Sequence, residues 1–119
     1  MITRTIKTTN PLIYNITLKI GEDISQKWLA AMKTQFLPHC TDGTIIVASQ
    51  VSEILVASDD KDKSYSIQFI FASKDTYDKD GLPTLGKFLK LLDGQFLGQY
   101  VYFTTKMEVL HECVVQSEN

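Results

Sequence analysis

The chain has 119 residues, 44% apolar and 22% charged, the balance of an ordinary soluble globular domain rather than of a disordered or fibrous chain. Its formal net charge is −2 with the two signs interspersed, so no basic face invites nucleic acid. Apolar runs such as Ile45 to Ala48 are far too short to cross a membrane, and the two cysteines, Cys40 and Cys113, read as free thiols in a reducing cytoplasm.

Residues 1–11 are expected to be an extension. They are polar and threonine-rich without the apolar h-region of a signal peptide, and Asn10-Pro11 favours an extended or turn conformation. Leu12, Tyr14, Ile16, Leu18 and Ile20 then alternate with Ile13, Asn15, Thr17 and Lys19, the period of a strand with one face on a core. Gly21-Glu22-Asp23 turns the chain, with Asp23 placed to cap a helix and Gln26 to complete a capping box. Ile24, Trp28, Met32 and Phe36 recur every fourth residue with Leu29 beside them. Pro38 is expected to end that helix near Phe36 or Leu37. Trp28 sits on the apolar stripe and reads as core rather than as the lining of a ligand cavity.

From Thr44 to Ala57 the chain is β-rich but changes parity. Ile45, Val47 and Val51 share one register, Ile54 and Val56 the other, and a bulge near Ser52-Glu53 would reconcile them. The run from Ser58 to Lys63 is a polar loop without the alternation or closing glutamate of a calcium site. Tyr65, Ile67, Phe69 and Phe71 against Ser64, Ser66 and Gln68 make a third strand. Asp75 to Asp80 reads as a short turn or helix that Gly81 and Pro83 interrupt. From Pro83 onward Leu85, Phe88, Leu89, Leu92 and Phe96 keep helical spacing. The last strand sets Val101, Phe103, Met107 and Val109 against Tyr100, Tyr102, Thr104 and Lys106, and residues 116–119 are a tail.

The order βαββαβ predicts one α+β domain over residues 12–115 with the ferredoxin-like arrangement. Its four-stranded antiparallel sheet, in the order 4-1-3-2, would carry both helices on one face. The other face is left open. Asn15, Thr17, Lys19, Ser66, Gln68, Tyr100, Tyr102, Thr104 and Lys106 are expected to line it. With Ile13 and Ile70 added it is too apolar for a purely solvated surface. A homodimer through or beside this face is therefore expected, enclosing a site for a small apolar ligand, and Tyr102→Asp is expected to dissociate it.

The segments "YNITLKI", "WLAAM" and "FLGQYVYFTTKMEVL" resemble an uncharacterised bacterial family, a domain of unknown function, over roughly residues 12–111. That family is similar to the dimeric α+β barrel group, which includes cofactor-free monooxygenases. The resemblance implies the fold and a dimer but no reaction. Relatives tend to carry His-Ile-Pro where this chain has Phe36-Leu37-Pro38, and an arginine where Thr104 stands.

Chemistry is thinly signalled. His39, Cys40, His111 and Cys113 are a zinc-type donor set, but adjacent residues rarely address one ion and neither pair has finger spacing, so no metal is assigned. A Cys-His nucleophile pair would lack an orienting third group. "GLPTLG" lacks the lysine and spacing of a phosphate loop. Asn15, Tyr102 or Lys106 could stabilise an anion in a cavity enzyme, yet no general base accompanies them. The expectation is a binding or assembly protein with no cofactor and no assigned catalytic residue. A cofactor-independent monooxygenase-like enzyme and a small-molecule-sensing domain are the alternatives.

Overall fold

Alternating apolar side chains make four strands here, and the register between them decides which residues share a surface. In this computed structural model, which describes residues 10–55, 61–113 and 115, β1 is Leu12–Ile20, β2 Ile46–Glu53, β3 Lys63–Phe71 and β4 Tyr100–Glu108. They form one antiparallel sheet in the order β2-β3-β1-β4, the expected order read from the opposite edge. β1 is central. It pairs with β3 from Leu12↔Phe71 to Ile20↔Lys63, and with β4 from Leu12↔Glu108 to Ile20↔Tyr100. The expected extension and tail fall largely outside the described residues, as does most of the loop before β3.

Two helical segments cover one side. The first, α1 (22–40), is an α-helix Glu22–Ala31, a π-helical turn Met32–Phe36 and an α-helical turn Leu37–Cys40 in unbroken succession. The second, α2 (74–96), repeats the plan with Lys74–Thr76, a π-turn Tyr77–Gly81 and an α-helix Leu82–Phe96. Neither proline ends its helix, contrary to the sequence expectation. In both segments a Leu-Pro pair, Leu37-Pro38 or Leu82-Pro83, directly follows the π-turn. A proline inside an α-helix loses one hydrogen bond and strikes the carbonyl four residues back. A π-turn widens the ladder ahead of the proline, as where the Leu37 N–H reaches the Met32 carbonyl five residues earlier.

The capping box also fails to form. Gly21 precedes α1 without a side-chain cap, Asp23 lies exposed in the first turn, and Ser25 Oγ donates to the Glu22 carbonyl at 3.0 Å. Ser73 does cap α2, its Oγ accepting the Thr76 N–H at 3.0 Å.

The core lies between the helices and one face of the sheet. Ile16, Leu18 and Ile20 of β1 and Ile67, Phe69 and Phe71 of β3 meet Trp28, Met32, Phe36, Phe88, Leu92 and Phe96. Phe36 meets the rings of Phe88 and Phe96 edge-on, both at 6.4 Å, and Trp28 packs on Tyr65 at 4.6 Å. Each such side chain contributes roughly 1.5–3 kcal/mol through burial.

Two corrections concern the strands. The irregularity in β2 lies between Ile46 and Ala48, making Val47 the extra residue, and Ile54 and Leu55 fall beyond the strand. The expected bulge at Ser52-Glu53 is absent because those residues pair regularly with Ser66 and Tyr65. The second correction is larger. Tyr100, Tyr102, Thr104 and Lys106 stand opposite Ile20, Leu18, Ile16 and Tyr14. Directly opposed residues share a face, so these four lie on the helix side of the sheet rather than on the open face. Val101, Phe103, Thr105 and Met107, opposite Lys19, Thr17, Asn15 and Ile13, take the open face instead. Both series of β4 are apolar or aromatic in part, and β4 is exposed everywhere beyond Tyr100, so its hydrophobic pattern does not report which face is inward.

Candidate binding face

On the open face the register sorts side chains into rows that cross the sheet. One end carries an apolar row of Ala48, Ile70, Ile13 and Met107. Next comes a carboxamide-rich row of Gln50, Gln68, Asn15 and Thr105. Then comes a hydroxyl row of Ser52, Ser66 and Thr17 that ends at Phe103 on β4. Ser64, Lys19 and Val101 form the last row.

The two polar rows are stitched together. Ser66 Oγ donates to Asn15 Oδ1 at 2.5 Å, Asn15 Nδ2 donates to Thr17 Oγ1 at 3.0 Å, and Gln50 Nε2 donates to Gln68 Oε1 at 3.2 Å. The result is an uncharged platform of amides and hydroxyls in which the Asn15 carboxamide is held from both ends. Its chemistry is hydrogen bonding to neutral groups. None of these seven polar residues titrates near neutral pH, so the platform supplies neither general acid nor general base.

Beside the platform, β4 supplies apolar surface. Val101 is 68% exposed and Phe103 62%, with Met107 at 39%. Together with the apolar row these side chains frame two sides of the polar platform. Five of the expected site residues, Asn15, Thr17, Lys19, Ser66 and Gln68, thus share this face. Gln50, Ser52 and Thr105 were missed, the first two because the misplaced bulge hid the parity of β2.

The other four expected residues belong to a second environment, on the helix side. The Tyr100 hydroxyl donates to Asp93 of α2, and burial first, then that bond and the nearby carboxylate, push its pKa well above the usual phenol range. Tyr100 and Tyr102 rings lie 5.8 Å apart. Lys106 Nζ stands 5.3 Å from the centre of the Tyr77 ring, which is stacked on Tyr14 at 5.9 Å. Tyr77 too is held above its ordinary pKa, chiefly by burial.

Cys40 is buried at the end of α1, where burial raises its thiol pKa against the lowering influence of Lys87, whereas Cys113 is exposed. His39 and His111 are exposed as well, and no three metal-binding side chains converge among the described residues. No helix among them is long and apolar enough to cross a membrane.

A βαββαβ chain with a 4-1-3-2 antiparallel sheet and two helical segments on one face has the ferredoxin-like α+β fold. Consistent with this, the chain resembles a crystallised dimeric ferredoxin-like protein from an uncultured marine organism. The match has a TM-score of 0.57 at 8% identity and covers 87% of this chain and 99% of that one. The chain belongs to the family described as a domain of unknown function, DUF4286, whose model matches residues 11–110. No curated protein matches it.

Proposed function

We propose that this protein acts as a homodimer in binding or assembly, with the second copy applied to the β4 flank of the open sheet face. The observation that carries this reading is the exposure of Val101 and Phe103, at 68% and 62%, on a sheet face that no helix covers among the described residues. Aromatic and aliphatic side chains clustered beside hydrogen-bonding groups are the composition of interface cores. The dimeric state of the ferredoxin-like neighbour supports the same reading.

In the dimer the apolar residues of β4 and of the Met107 row act as the seal, and the Asn15-Ser66-Thr17 platform lines what lies between the two sheets. Such a lining suits a small neutral molecule with an apolar body and one hydrogen-bonding edge. Catalysis is not favoured, because the platform carries no titratable group to move a proton.

Light scattering on the purified chain tests the dimer. The wild type is expected at twice the chain mass and Phe103→Asp at the chain mass, with an unchanged far-ultraviolet circular dichroism spectrum. A wild type that stays monomeric across the accessible concentration range would overturn the proposal.

A further inference from the structure

Among the described residues no strand lies beside the outer backbone edge of β4. Sheets protect such edges with short strands, prolines, bulges, inward charges or a covering helix, because an open edge pairs with any suitable strand. β2, the other edge, is interrupted by its bulge at Val47. Of these devices β4 has only the inward charges, Lys106 and Glu108, which stand opposite Tyr14 and Leu12. It runs nine residues in unbroken register against β1, contains no proline, and keeps those two charges at one end.

We propose that β4 pairs antiparallel with β4 of a second copy about a two-fold axis at Thr104, joining two four-stranded sheets into one of eight. This rests on the homodimer reading and specifies its geometry. With Thr104 opposite itself, Phe103 faces the partner's Thr105, Tyr102 the partner's Lys106, Val101 the partner's Met107 and Tyr100 the partner's Glu108. Each charge then meets a tyrosine, an ammonium against an aromatic ring and a carboxylate against a phenol. On the open face, Val101 and Met107 make apolar pairs, and the two Phe103 rings stand as diagonal neighbours across the axis, within reach of each other.

Competing registers fare worse. Moving the axis to Lys106 would oppose two ammonium groups, a destabilising pair. Axes at Phe103 or Thr105 leave residues at the strand ends without a partner in β4. Only the Thr104 axis pairs all nine. A two-fold axis perpendicular to the sheet also keeps both helical layers on one side, so a joined sheet curled toward its other side would bring the two open faces toward each other.

Disulfide trapping tests the register in a Cys113→Ser background, which removes the exposed native thiol. Thr104→Cys is expected to give a covalent dimer on mild oxidation, since the two positions are directly opposed. Lys106→Cys is expected to stay unlinked. Its two copies would lie four residues apart along the pair, about 13 Å, beyond the roughly 7 Å between Cα atoms that a disulfide spans. Should the wild type be a dimer by light scattering while Thr104→Cys stays unlinked, the strand pairing fails and the dimer reading survives. Linkage at Lys106→Cys in place of Thr104→Cys would overturn the register. A monomeric wild type would remove both.

Discussion

At the residue scale, two glycines in the same helical segment should respond to alanine with opposite sign. Gly86 lies exposed in the α-helical part of α2, with nothing within 4 Å of where a Cβ would stand. Alanine there gains the usual helix preference of about 1 kcal/mol. Gly81 is buried in the π-turn, and a Cβ would come within 2.5 Å of the Tyr77 ring. That ring cannot step aside, being stacked on Tyr14 and edge-on to Phe71 at 5.1 Å. Overpacking of this kind costs about 1–3 kcal/mol and outweighs the gain in helix preference. Thermal denaturation should show Gly86→Ala melting above the wild type and Gly81→Ala below it; a stabilised Gly81→Ala would mean the ring has room to move. None of this was legible from the sequence, where Gly81 read as a helix breaker. A glycine required by a neighbouring ring and one that ends a helix look alike until the turn geometry is known.

At the element scale, what the sequence disclosed depended on how one-sided each element's burial is. β1 and β3 lie in the middle of the sheet with one face under helices, so their alternation reported face and boundaries faithfully. β4 lies at the edge, exposed on both sides, and its alternation said "strand" without saying which way it faces. That ambiguity moved four of nine expected site residues, Tyr102 among them, to the helix side of the sheet and hid Phe103 on the open face. The start of β2 was missed for a different reason, a side chain acting on backbone. Asp42 accepts hydrogen bonds from the N–H groups of Thr44 and Ile45, both at 2.9 Å, and of Ile46 at 3.2 Å, gathering the turn through Gly43, whose φ is 84°. The Thr44 N–H, opposed by desolvation and joined by the other two, holds the carboxyl below its ordinary pKa. A depressed folded-state pKa stabilises the fold above the unfolded value, and the contribution fades as pH falls through the folded one. Wild type should therefore be more stable than Asp42→Ala at neutral pH, with the gap closing below the ordinary carboxylate range. Denaturant titrations across that range check the trend, and a gap that persists to the lowest pH would show that charge is not its source.

At the scale of the whole molecule, the fold was legible because the order βαββαβ and the handedness of its crossovers leave few ways to close a sheet. The proposed assembly rests on what that closure fails to cover. The helices bury one face of β1 and β3 and leave β4 exposed beyond Tyr100, so a strand bearing Val101, Phe103 and Met107 faces water in the single chain. Association that buries it adds binding free energy to folding free energy, and mass action then makes stability depend on protein concentration. The wild-type melting temperature should rise with each tenfold increase in concentration. Phe103→Asp should melt at one temperature throughout, near the low-concentration limit of the wild type, since Phe103 is outside the core and its loss costs the single chain little. If both proteins instead melt independently of concentration, β4 is not part of an interface that forms on folding. If the variant melts far below the dilute wild type, Phe103 supports its own chain and the apolar edge has an internal role.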